Sequence, residues 1–336
     1  MTVNIGGREI SFGLWYDFRN PPQWARPAAR LYAETLDHVT YAERLGFDNI
    51  WTSEHHFIDD GYSPALLPLC AAIAARTTHI RIGTNVLLLP LHDPVRIAED
   101  AAAVDILSNG RFDLGVAAGY KREEFTGMNI SRKTRAGRMD EAIEVLRRSW
   151  ADGAFSFSGR HYTYSDIDVT PKPVQRPMPL WVGGFSEAAV RRGARAGDGL
   201  LAAANVIPTY LDELKKVGKA ELPQRIALSL PWAIVSDEPE RDWERYGEHL
   251  LYQRNRYAQW FTAADMALFE NIPESVEEVR QHGADLIVTP RRALEIVHRI
   301  VASLPVTHLY WWAVPPGVPP KVTYESMELF ARTFFS

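Results

Sequence analysis

The chain has 336 residues, 46% hydrophobic and 24% charged, which fits a soluble globular protein with room for one α/β barrel or two ordinary domains. A net charge of −5 leaves no basic counter-surface for nucleic acid or an anionic membrane, and no apolar run approaches the ~20 residues of a membrane span. Cys70 alone permits no intrachain disulfide, and the N-terminal segment lacks the basic and apolar regions of a signal peptide, so a cytoplasmic protein is expected.

Strand and helix patterns alternate along the chain. Ile10–Phe18 reads as a first strand, rich in aromatic and branched residues. Leu31–Leu45 reads as a helix with Tyr32, Leu36, Val39 and Ala42 on one face and Gly46 as its stop. Phe47–Ser53 is the second strand, Ser63–Arg76 the second helix with Pro64 in its first turn, and Ile80–Leu89 a long apolar third strand of the kind covered on both faces. The third helix is signalled by Asp93 as cap, Pro94 in the first turn, a stripe of Ile97, Ala101, Val104 and Leu107, and the stop Asn109-Gly110. Phe112–Ala118 is a fourth strand and Arg135–Trp150 a fourth helix. Further strands at Leu180–Val182, Leu200–Ala204, Ile226–Val235 and Thr307–Val314 are each followed by a helical stretch.

Eight strand–helix units predict an α/β fold, a closed (β/α)8 TIM barrel making a single domain over residues 1–336. Two stretches break the rhythm. Asp152–Pro179, with four prolines and several aromatics, reads as a loop or hairpin insertion after the fourth helix. Ser236–Asp285 is charged and helical, carries Tyr252, Tyr257, Trp260 and Phe261, and reads as an insertion after strand seven that covers one end of the barrel.

Residues able to carry chemistry gather where strands give way to loops. Trp51-Thr52-Ser53-Glu54-His55-His56-Phe57 places a carboxylate and two imidazoles at the end of strand two, where parallel α/β proteins bind ligands. Adjacent residues there point to opposite sides, and no H-x-H or H-E-x-x-H spacing supports them, so no metal site is expected. An imidazole packed under the rim is the plain alternative to an acid, base or donor role. Asn85, in Gly83-Thr84-Asn85-Val86, makes either a structural bond or a contact to a polar ligand. Gly183-Gly184 lets a ligand approach the backbone, and Ser186 caps a helix whose first amides suit a phosphate. Small residues before Tyr120 leave room for a flat ligand or simply fill a narrow barrel mouth. Trp15, Tyr16, Trp311 and Trp312, on strands one and eight, are expected as walls of an apolar pocket, and Cys70 as an inert buried thiol.

Together these segments resemble the bacterial luciferase-like flavin monooxygenase family. The matching motifs are Phe47–Phe57, Ile82–Pro90, Asp93–Asp100, Ser108–Gly115, Leu180–Glu187 and Thr289-Pro290, in the family's order over nearly the whole chain; the match is weakest over Ser236–Asp285. The resemblance implies a barrel binding reduced FMN, or the deazaflavin F420 in some branches, at the carboxyl ends of its strands. It implies Trp15 flanking the flavin ring, a non-prolyl cis peptide at Asn85-Val86 beneath it with Thr84 alongside, and Ala117, Gly119 and Tyr120 bordering its reactive side. Gly183, Gly184, Phe185 and Ser186 would hold the phosphate, and His55 would be the catalytic imidazole, with Glu54 and His56 beside it.

The implied chemistry is monooxygenation of a small organic substrate through a flavin C4a-(hydro)peroxide, with reduced FMN from a separate flavin reductase, in a homodimer. No G-x-G-x-x-G follows a strand, which agrees with flavin arriving already reduced. Asn85-Val86 replaces the small pair of luciferases proper, so no light emission is expected. F420-using relatives often carry Ser-Asp-His where this chain has Ser53-Glu54-His55-His56, which favours FMN. F420-dependent hydride transfer on the same barrel is the main alternative; a metal hydrolase using His55 and His56, and a non-catalytic flavin-binding barrel, are others.

Overall fold

In a computed structural model, residues 2–201, 203–222, 224–263 and 272–335 are described. Eight parallel strands close on themselves: β1 (Arg8–Tyr16), β2 (Asn49–Thr52), β3 (Arg81–Thr84), β4 (Phe112–Val116), β5 (Leu180–Gly183), β6 (Gly199–Leu201), β7 (Ile226–Ser229) and β8 (His308–Trp312). Each pairs with its predecessor, and β8 returns to β1 with Trp312 beside Trp15 and Trp311 beside Leu14. The expected (β/α)8 barrel is therefore present.

Surrounding the strands are α1 (Ala28–Leu45), α2 (Leu66–Arg76), α3 (Pro94–Leu107), α4 (Arg122–Gly127), α5 (Arg135–Trp150), α6 (Glu187–Ala196), α7 (Ile207–Lys216), α8 (Pro239–Ala263), α9 (Val276–Gln281), α10 (Pro290–Ser303) and α11 (Pro320–Phe334). Outward-facing strand residues such as Phe12, Ile50, Ile82, Leu114 and Leu309 pack against these helices in one continuous core. Trp51 and Trp181 meet inside the barrel with ring centroids 5.5 Å apart. Glycine makes room for them: a Cβ on Gly83 would lie 2.4 Å from the Trp51 ring, and one on Gly199 2.4 Å from that of Trp181.

Local signals in the sequence are realised where they rest on capping chemistry. Gly46 ends α1 in the left-handed region at φ 98°, and the Asp93 carboxylate accepts from the amides of Val95 and Arg96 to start α3. Three expected boundaries are corrected. α2 starts at Leu66 rather than Ser63, so Pro68, not Pro64, occupies its first turn. The third strand stops at Thr84: the Asn85–Val86 peptide is cis, Leu87 makes a single bridge to Val116, and Leu89–Leu91 forms a 3-10 turn. Its apolar run thus records burial, not strand length. The seventh run divides, β7 ending at Ser229 while Ile234–Val235 pairs in parallel with Ile287–Val288 in a separate two-stranded sheet.

Both insertions are where the rhythm broke. Phe155–Ser158 and Thr163–Ile167 form an antiparallel hairpin. In the second, α8 buries Trp243, Leu250 and Leu251 against Ile234, Val279 and Ile287, and carries Tyr257, Trp260 and Phe261 over the carboxyl ends of the strands. Part of that insertion, 264–271, lies outside the described residues, as does position 202 of the expected sixth strand. Among the described residues no helix is long and apolar enough to cross a membrane.

Candidate active site

The loops at the carboxyl ends of the strands bring most of the sequence-predicted residues together. His55 is buried just past β2, boxed by the rings of Tyr62 at 4.9 Å, Trp260 at 4.8 Å and Tyr120 at 5.6 Å. Its Nδ1 lies 2.6 Å from Glu124 Oε1, and its Nε2 lies 3.3 Å from the Tyr120 hydroxyl. Because a carboxylate only accepts, Nδ1 carries the proton, and a neutral ring then turns the Nε2 lone pair toward the aromatic chamber. Glu124 Oε1 also accepts from the His56 amide, while its Oε2 is buried without a partner.

Glu54 and His56 belong to a different cluster. Oε1 of Glu54 accepts from Nε2 of His56 at 2.6 Å and Nε2 of His92 at 2.7 Å, and Oε2 accepts from the Leu88 amide. Burial pushes this carboxyl up, but the two imidazole hydrogen bonds outweigh it and hold Glu54 at about 2. Neither side chain is bonded to the His55 ring.

The ring-binding candidates converge from neighbouring strands. A Cβ on Gly183 would lie 2.6 Å from Val86 Cγ1 and 3.7 Å from the Ala117 methyl, so the cis peptide and the ends of β4 and β5 meet there. Tyr310, beside Asn85, has its hydroxyl pushed up to about 12 by burial, and the Asn85 Nδ2 is buried without a hydrogen-bond partner. Trp15 is stacked on Trp312 at 4.7 Å, and the indole N–H of each is also buried and unpartnered. Gly184 has φ 157°, and a Cβ on it would lie 2.4 Å from that of Ala189. Ser186 Oγ accepts from the Ala189 amide at the start of α6, leaving Phe185 exposed and edge-on to Phe261. Gly119 is left-handed, at φ 72°, and Tyr120 stacks on Phe261 at 4.8 Å.

Other predicted residues sit elsewhere. Thr84 is fully buried, its hydroxyl donating to Gly115 O and accepting from Gly115 N, so it clamps β3 to β4. Tyr16 and Trp311 are not pocket walls: strand alternation turns them into the helix layer, Tyr16 onto His38 and Trp311 onto Phe330. Cys70 is buried, and burial pushes its thiol up to about 12.

Sequence reasoning missed Glu124, His92 and Arg19. Arg19 is fully buried between Asp17 and Asp60, with its guanidinium 4.8 Å from the rings of Tyr62, Tyr257 and Trp260. Tyr252 donates to Asp60 and Tyr62 bonds Tyr257, so this network ties α8 to the barrel mouth. The only sequence signal for Glu124 is its place beside the apolar Phe125 in a short helix; nothing marks it over Glu123.

The arrangement fits a flavin-type ligand on structural grounds: buried, unpartnered donors at Asn85, Trp15 and Trp312, and glycine-lined backbone at Gly183-Gly184 beside a capped helix start. A family model described as luciferase-like monooxygenase matches residues 10–301. The oxygenase component of a flavin-dependent trigonelline monooxygenase from Acinetobacter baylyi is 32% identical over 171 residues, 49% of this chain and 47% of that protein. An F420-dependent glucose-6-phosphate dehydrogenase from Amycolatopsis mediterranei is 30% identical over 189 residues, 54% of this chain and 56% of that one. These matches span about half the length of the curated relatives. The crystal structure of monooxygenase RslO1 from Streptomyces bottropensis superposes with a TM-score of 0.85 over 97% of this chain and 99% of that one, at 23% identity, and so shares the fold.

Proposed function

The chain belongs to the luciferase-like monooxygenase family, and on that premise we propose that it is a flavin-dependent monooxygenase using reduced FMN and O2 on a small, largely apolar organic substrate. The observation that carries the reading is the buried His55–Glu124 pair facing an aromatic chamber whose floor presents unpartnered donors at Asn85 and Trp15. Trp15, Asn85, Val86, Ala117, Gly119 and Tyr120 would hold the flavin ring, and Gly183, Gly184, Phe185 and Ser186 its phosphate. When bound, reduced FMN supplies the electrons that activate O2.

The chain's own residues do the rest. His55 takes or returns a proton at Nε2, and Glu124 fixes the tautomer and orientation of that ring. Tyr120 shares a hydrogen bond with the same nitrogen. Tyr257, Trp260 and Phe261 roof the chamber and keep water from the reacting groups. Glu54 and His56 position the loop that carries His55 and do not react. The name of the Acinetobacter relative, an oxygenase component, supports a separate reductase as electron source. A cytoplasmic homodimer completes the proposal.

The Amycolatopsis relative favours a second reading, F420-dependent hydride transfer on the same barrel. Titrating the apoprotein with FMN, reduced FMN and F420 separates the two. Binding of reduced FMN with substrate-dependent oxygen uptake is expected. Tight F420 binding without reduced FMN binding would overturn the monooxygenase reading.

A further inference from the structure

The second imidazole cluster is idle in this chemistry yet organised. Oε1 of Glu54, Nε2 of His56 and Nε2 of His92 all lie within 4.8 Å of one another, with the oxygen 2.6 Å and 2.7 Å from the two nitrogens. We propose that these three side chains bind one divalent transition-metal ion of the zinc class, clamping the loop after β2 to the turn before α3.

Five features support it. The donor set, two imidazoles and one carboxylate, is one that zinc accepts with a fourth position left to water. In a tetrahedral zinc site, donor atoms bonded at roughly 2.0–2.2 Å stand about 3.4 Å apart, so Oε1 would withdraw by less than about 1 Å. The carboxylate already has an outer partner, since the Leu88 amide donates to its Oε2 at 2.7 Å, as metal-bound carboxylates do. Charge also favours a cation. Glu54 and Glu124 are both buried, and among the described residues their ion pairs are with His55, His56 and His92. Finally, there is an entry: the His92 side chain is 26% exposed, while Glu54 is sealed behind it.

Both imidazoles donate from Nε2 to Glu54 in the metal-free site, so on binding each shifts its proton to Nδ1 and offers the Nε2 lone pair to the ion. The ion would order the segment whose His56 amide bonds Glu124, and through it the partner of His55. This site leaves His55 out, so it is distinct from a hydrolase centre built on His55 and His56, and it holds whether or not the flavin reading does. The third ligand stands 38 positions from Glu54, which is why adjacent-residue spacing pointed to no metal site.

The test uses untagged full-length protein stripped with chelator, then incubated with zinc or cobalt and desalted. About one zinc per chain, a melting temperature raised by several degrees, and the visible absorption of four-coordinate cobalt are expected. His92→Ala, at a partly exposed position, and Glu54→Gln, which keeps an acceptor for Leu88, should each lose the bound metal while keeping the wild-type circular dichroism. Zinc retained at the wild-type level in both variants overturns the proposal, as does less than about one-tenth of an ion per wild-type chain.

Discussion

Nδ1 of His55 and Oε1 of Glu124 lie 2.6 Å apart although 69 positions separate them in the chain. The pair exists because the loop after β2 and helix α4 after β4 fold toward the same chamber. The other oxygen of Glu124 is buried without a hydrogen-bond partner, while Oε1 also accepts from the His56 amide.

His55→Ala should lower turnover by about 10²- to 10⁴-fold, the usual worth of a positioned acid–base group. Flavin affinity, read by fluorescence titration, should stay close to wild type. Glu124→Gln should lower kcat by about 10- to 100-fold with little change in KM, because it disturbs orientation of the base and not substrate binding. Wild-type turnover in His55→Ala would remove it from the mechanism.

Gly184→Ala places a methyl 2.4 Å from the Ala189 Cβ, at a φ of 157° that a side chain rarely adopts. The loop before α6 must shift to accept it. FMN affinity should fall about tenfold, about 1.4 kcal/mol, while riboflavin, lacking the phosphate, should bind as before. An equal loss for both ligands would place the phosphate elsewhere.

Thr84→Val removes the hydroxyl that serves both the carbonyl and the amide of Gly115. With that position fully buried, stability should drop by about 1–3 kcal/mol, seen as a lower urea midpoint with unchanged slope. Thr84→Ser, which restores the hydroxyl, should recover most of it.

Burial holds His38 neutral, its pKa pushed down from 6.5 to about 3, with the Tyr16 hydroxyl 2.8 Å from its Nδ1. Between those values the unfolded chain binds a proton that the folded chain refuses, so stability falls as pH drops from 6.5 toward 3. Asp17 acts oppositely: burial raises it from 3.8 to about 6, and its contribution is lost as pH rises through 6. Urea midpoints measured at neutral pH and near pH 5 should show the wild type weakening on acidification, and His38→Gln weakening less. A profile unchanged in His38→Gln would mean that this imidazole is not the titrating group.

Much of the fold is legible because its signals are local. Asp93 before Pro94, Gly46 after a helical stripe, and eight apolar runs each followed by a helix specify elements and their order. Trp15, Asn85 and Gly183 could be nominated as ligand-facing because they stand at the ends of such runs. Boundaries failed where burial mimics a strand, as at Leu87–Leu89 and Ile234–Val235.

The sequence by itself determined the barrel and the ends of strands at which a ligand can sit, since periodicity and capping depend on residues only a few positions apart. Tertiary structure alone decided the pairing of side chains: His55 with Glu124, Glu54 with His56 and His92, Trp15 facing the chamber while Tyr16 faces the helices. Those partnerships depend on barrel closure, which brings separate loops within hydrogen-bond reach and turns alternate strand residues to opposite sides.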